Sequence, residues 1–166
     1  VGARIAEHPD IDAVSFTGSV PTGRQIGVTC ASLGKKVQME MGGKNPMVVM
    51  DDADLDVAIG ACVNGAFFST GQRCTASSRL IVTKGIYDKF VDALTEAADN
   101  LVVGDALDSA TQIGPVVDEK QLQQNVDYVK LAAEEGCDVR GGAIQNGPGF
   151  FQKPAVFASA TNDMRI

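Results

Sequence analysis

The chain has 166 residues, of which 45% are hydrophobic, with 18 glycines and 6 prolines; it is long enough to bury a core and too apolar for a disordered segment. Acidic residues outnumber basic ones by 21 to 14, a formal charge of -7, and no basic run is interleaved with aromatics, which argues against nucleic acid and anionic membranes as partners. With no run of about 18 apolar residues and no signal-like segment, the sequence predicts a soluble, cytoplasmic protein.

The opening residues 1–8 read as the end of a helix closed by Pro9. Ala13–Phe16 reads as a strand ended by Thr17-Gly18-Ser19. Pro21 suits the first turn of a helix that runs to about Leu33, with Gly34 as its stop. Lys35–Glu40 returns as a strand, Val37 and Met39 alternating with Lys36 and Gln38. Strand, helix and strand at this length predict a βαβ unit and a parallel sheet, hence an α/β fold.

Gly42-Gly43 breaks the pattern, Pro46 closes the loop, and a domain boundary falls there, between residues 1–41 and 42–166. Met47–Met50 is a short strand. Asp51-Asp52-Ala53-Asp54 is a helix entry, with acids near the positive end of the macrodipole. The helix from Leu55 to about Phe68 is apolar nearly all round, which predicts burial on most faces. It leads to Gly71-Gln72-Arg73-Cys74. A strand over Arg79–Thr83 follows, then an amphipathic helix over Tyr87–Leu101 and a surface loop over residues 103–115. Asp118 caps the next helix, whose apolar side carries Leu122, Val126, Val129 and Ala133 and which stops at Gly136. Asp138–Arg140 is a strand, Gly141–Gly149 a glycine-rich turn and Pro154–Ala158 the last strand. The chain begins inside a helix and stops at Ile166 without a terminal element, and so reads as a fragment of a longer protein.

The four cysteines, Cys30, Cys62, Cys74 and Cys137, are widely spaced with no CxxC pair. That pattern predicts free thiols in a reducing compartment and no metal site. The usual fate of such a cysteine is to serve as a small buried hydrophobe, and Cys30, Cys62 and Cys137 read that way. Cys74 differs, because its neighbours are Arg73, Gln72, Thr75 and Ser77 rather than core residues. Backbone N–H groups after Gly71 and the Arg73 cation favour its thiolate, which attacks carbonyl carbon well. Glu40 ends a strand at the edge where open α/β sheets bind ligands; it is either a general base toward water or a solvated strand-end acid. Gly42 and Gly43 let a flat ligand approach the backbone closely, or simply form a turn. Gly18-Ser19 precedes a helix N-terminus, which suits a phosphate. Gly18 to Gly23 has the glycine spacing of a Walker A loop but lacks its Lys-Ser/Thr ending, and no GxGxxG is present. A cofactor-independent thiol hydrolase or acyltransferase built on Cys74 and Glu40 is an alternative. The single histidine, His8, lies far from Cys74 in sequence and counts against it. A non-catalytic fragment is a further alternative.

Phe16-Thr17-Gly18-Ser19, Glu40-Met41-Gly42-Gly43-Lys44-Asn45-Pro46 and Gly71-Gln72-Arg73-Cys74 together resemble the NAD(P)-dependent aldehyde dehydrogenase superfamily, as does the spacing from Glu40 to Cys74. Gly104-Asp105 through Gly114-Pro115 is similar to a further signature of that family. The nearest branch is similar to dehydrogenases of 2-oxoglutarate or succinate semialdehyde.

The resemblance implies the last βαβ part of a Rossmann-like cofactor domain followed by part of an α/β catalytic domain. It also implies NAD or NADP as cofactor, an aldehyde as substrate and a homo-oligomer (dimer or tetramer). Cys74 would be the nucleophile, its N–H part of an oxyanion hole, and Glu40 the base. Gly18 and Ser19 would meet the cofactor pyrophosphate, Met41 would face the nicotinamide through its backbone beside Gly42, and Gln72 and Arg73 would line the substrate tunnel. The rest of the family's cofactor site, and its oxyanion asparagine, would lie outside residues 1–166. The isolated chain is therefore expected to have little or no activity.

Overall fold

A computed structural model describes residues 1–166. They form two compact units, one of Val1–Lys44 with Arg73–Thr75, the other of Asn45–Gln72 with Ala76–Ile166.

The first unit contains α1 (Gly2–Glu7), β1 (Ala13–Gly18), α2 (Val20–Ser32) and β2 (Lys36–Met41). β1 and β2 pair in parallel, with Val14 opposite Val37 and Phe16 opposite Met39, so the βαβ unit read from the sequence is present. β1 runs two residues past its expected end at Phe16, because Thr17 and Gly18 pair with Glu40 and Met41. Ser19 caps α2 by accepting from the Thr22 N–H at 3.4 Å, and Gly34, at φ +66°, ends it in the left-handed conformation. Lys35 secures the end of α1, its Nζ donating to the carbonyls of Ala6 at 2.8 Å and His8 at 2.6 Å.

The second unit begins with β3 (Asn45–Val49), α3 (Leu55–Ala66), a short 3₁₀ turn over Phe68–Gly71, β4 (Ser77–Val82) and α4 (Tyr87–Asp99). It continues with α5 (Glu119–Glu134), β5 (Asp138–Gly141), β6 (Ile144–Gln145), β7 (Phe151–Gln152) and β8 (Ala155–Ala158). β3 and β4 pair in parallel. Their apolar side meets α3 and α4 in a core of Val49, Ala58, Cys62, Ile86, Phe90 and Leu94. The helix starts follow their sequence signals. The Asp54 carboxylate accepts from the Val57 N–H at 3.1 Å, and Asp118 accepts from the Gln121 N–H at 2.8 Å, each satisfying an otherwise orphaned donor. Asp51 has a different task. It accepts from the Gly85 N–H at 2.8 Å and from the Thr83 hydroxyl, tying the turn after β4 to the end of β3.

Four expectations are corrected. Pro46 lies inside β3 instead of closing a loop; the β3–β4 register shifts at Asn45/Pro46, which accommodates a residue that cannot donate to the ladder. α3 is buried on one face only: Ala58 and Cys62 are enclosed while Val57 is 68% exposed, because β4 and α4 cover a single side of it. On α5 the enclosed alanine is Ala132, and Ala133 faces outward. The glycine-rich segment 141–149 is not a plain turn, since Ile144–Gln145 pairs with Phe151–Gln152 as an antiparallel ladder, and β5 pairs antiparallel with β8. No helix is long and apolar enough to cross a membrane.

Candidate functional site

Parallel pairing decides where the singled-out residues of the first unit lie. Because Thr17 is opposite Glu40 and Gly18 is opposite Met41, Gly18, Ser19, Glu40, Met41 and Gly42 share the carboxyl end of the β1–β2 sheet. Open α/β sheets bind ligands at that edge. Gly18, Ser19, Glu40 and Gly42 are all exposed there. A Cβ added to Gly42 would meet nothing within 4 Å, so the backbone at this point opens on free space. Met41 turns its side chain the other way. Its sulfur would lie 2.5 Å from a Cβ added to Gly23 of α2, so a glycine is needed there for the helix to sit on the strand.

The segment Arg73–Thr75 belongs to the same compact unit as Glu40, whereas Gln72 is grouped with the second unit. Cys74 is exposed, while Cys30 and Cys62 are wholly enclosed and Cys137 is partly covered. Burial pushes the Cys62 thiol up to about 11. The Cys137 thiol is raised as well, by burial and then by the nearby Glu135 carboxylate. A thiol so shifted is harder to ionise. His8 is occupied elsewhere, its Nδ1 accepting from the Asp10 N–H at 3.2 Å.

The approach to Cys74 is conformationally costly. Ser69 (φ 57°), Thr70 (φ 55°) and Gly71 (φ 67°) are left-handed in succession. For Thr70, β-branched, this is a genuine outlier. Residues in this region cost on the order of 1–2 kcal/mol each and persist where the surroundings hold them, often at functional sites. The Gln72 N–H donates to the Ser69 carbonyl at 3.0 Å and closes the turn. Sequence reading found Gly71 but not its two left-handed neighbours, since neither serine nor threonine signals that conformation.

Gly71 has a second constraint, as a Cβ added there would lie 2.8 Å from the Ala66 carbonyl oxygen. Gly71→Ala is therefore expected to destabilise the protein by about 1–2 kcal/mol from the dihedral alone, with the collision adding to it. Urea unfolding measures this, and a loss below about 0.5 kcal/mol would show that the turn relaxes freely.

An exposed thiol thus lies in one compact unit with a carboxylate at the carboxyl end of a parallel βαβ sheet. The chain belongs to the aldehyde dehydrogenase family, which matches it over residues 1–166. It is 46% identical over 169 residues to a betaine aldehyde dehydrogenase of Rhizobium leguminosarum bv. trifolii, covering 99% of this chain and 35% of that protein. It is 42% identical over 171 residues to an alpha-ketoglutaric semialdehyde dehydrogenase of Bacillus subtilis, covering 100% of this chain and 35% of that one. Among solved structures, the NAD+ complex of an aldehyde dehydrogenase from Bacillus cereus superposes with a TM-score of 0.95 at 39% identity, over 99% of this chain and 34% of that chain. The chain thus spans about a third of the length of the relatives it matches.

Proposed function

We propose that the chain carries the chemical centre of an NAD(P)-dependent dehydrogenase that oxidises an aldehyde, in particular a semialdehyde, to a carboxylate. The observation that carries this reading is the exposed Cys74 grouped with Glu40 in one compact unit. Residues 1–41 would be the end of the cofactor domain and residues 42–166 part of the catalytic domain.

Cys74 Sγ attacks the aldehyde carbon and forms a thiohemiacetal, its own N–H donating to the developing oxyanion. Such a donor contributes roughly 3–4 kcal/mol. A nicotinamide held at this edge would supply the hydride acceptor. Loss of hydride leaves a thioester on Cys74. Glu40 takes a proton from water, the hydroxide adds to the thioester carbon, and the carboxylate leaves as the Cys74 sulfur departs. The residues present fit the cofactor. The N-terminus of α2, capped by Ser19 after Gly18, offers backbone N–H groups to a pyrophosphate, and the open backbone at Gly42 admits a flat ring. Arg73 beside the nucleophile, with Gln72, favours an aldehyde bearing a distant carboxylate, as the name of the Bacillus subtilis relative also suggests.

The test is NAD(P)H formation from charged and neutral aldehydes, run on the chain alone and on a protein of full family length that contains it. The semialdehyde reading fails if Arg73→Ala loses no more efficiency on charged than on neutral aldehydes. Glu40→Gln separates the two half-reactions. It is expected to keep the first burst of NAD(P)H while steady turnover falls by about 10²- to 10⁴-fold, the usual worth of a positioned general base. Equal loss of burst and turnover would place Glu40 before the thioester and overturn its role in deacylation.

A further inference from the structure

We propose that Asn45 is a positioning residue for Cys74, a role that rests on the reading of Cys74 as nucleophile. β3 and β4 start side by side but not in simple register. Asn45 lies opposite Ser77, yet the next pair is Pro46 opposite Arg79, so Ser78 is an extra residue in β4. Pro46 has no N–H to give to the ladder. Main-chain bonding is therefore interrupted at the strand start that follows Cys74.

The Asn45 side chain supplies a tie at that point. Its Nδ2 donates to the Ala76 carbonyl at 3.2 Å. Ala76 is only 7% exposed, so the bond is largely shielded from competing water. The next residue lies close against α3, since a Cβ added to Gly65 would come to 2.8 Å from the Ser77 hydroxyl. Upstream, the chain enters through the left-handed turn over Ser69–Gly71. Cys74 thus sits on a short span whose exit is held by an amide two residues beyond the thiol. Misplacing a nucleophile by an ångström costs about 100-fold in rate without changing its chemistry.

Asn45→Asp removes the donor and sets a carboxylate oxygen against the Ala76 carbonyl, and it is examined in a protein of full family length. Amide hydrogen exchange over residues 73–77 is expected to quicken about tenfold or more, with the peptides of α4 unchanged. The burst rate of NAD(P)H formation is expected to fall at least about tenfold with KM little altered. Unchanged exchange over residues 73–77 overturns the proposal whatever the activity. Faster exchange with an unaltered burst rate overturns it too, because the tie then serves the fold alone. Absence of NAD(P)H formation by the unsubstituted protein overturns the dehydrogenase reading and this role with it, and that failure is recognised before any substitution is made. Asn45→Ser, uncharged and shorter, carries the same two measurements should Asn45→Asp not fold.

Discussion

Replacing Cys74 by alanine is expected to lower the turnover of aldehyde by roughly 10⁴- to 10⁶-fold in a protein of full family length, the range seen when a member of a covalent catalytic set is removed. Neither half-reaction has a substitute route. In the proposed mechanism, without Sγ no thiohemiacetal would form to give up a hydride, and no thioester on which Glu40 could act. The other thiols cannot take over. Cys30 and Cys62 are fully enclosed, and burial raises the Cys62 thiol to about 11; the Cys137 thiol is raised as well. NAD(P)H absorbance with the best aldehyde of a panel measures the loss, and alkylation by iodoacetamide should label Cys74 first. Turnover within tenfold of the unsubstituted protein would remove Cys74 from the mechanism and leave the sheet-edge carboxylate without a thioester to hydrolyse.

The second large effect concerns stability. Phe90→Ala is expected to destabilise the second unit by about 3–5 kcal/mol, the usual cost of deleting an enclosed phenylalanine ring. Phe90 is 1% exposed and belongs to the cluster of Val49, Cys62 and Leu94, where α3 and α4 close over the β3–β4 sheet. Its ring lies where three elements meet, so none can collapse into the space without breaking another contact. Against total stabilities of about 5–15 kcal/mol, that loss would leave the fold marginal. The shift in urea midpoint at constant slope reads it. A change below about 1 kcal/mol would mean that the three elements repack around the hole, contrary to close packing at this point.

Much of the candidate site was legible because it depends on neighbours in sequence. Asp54 and Asp118 cap helices because a carboxylate reaches N–H groups three residues on, and both do so. Gly34 and Gly136 stand at helix ends with positive φ, as the residue without a Cβ does. The βαβ unit followed from element lengths and from alternation in Lys36–Met39. Cys74 was singled out by polar neighbours, and it is exposed.

What the chain order could not supply was pairing between distant segments. That α3 exposes Val57 depends on α4 and β4 covering only one side of it, although its composition is apolar all round. The antiparallel union of β5 with β8 and the ladder of Ile144–Gln145 with Phe151–Gln152 bring together segments with no local mark of their register. The register shift at Asn45/Pro46, with the Asn45–Ala76 hydrogen bond beside it, joins residues far apart in sequence. The left-handed run before Cys74 likewise departs from what Ser69 and Thr70 prefer alone. Sequence by itself therefore determined the helix caps and the βαβ unit, both governed by interactions over a few residues. Tertiary structure alone decided which faces are covered and how the strands are registered, because those depend on contacts whose partners the chain brings together only on folding.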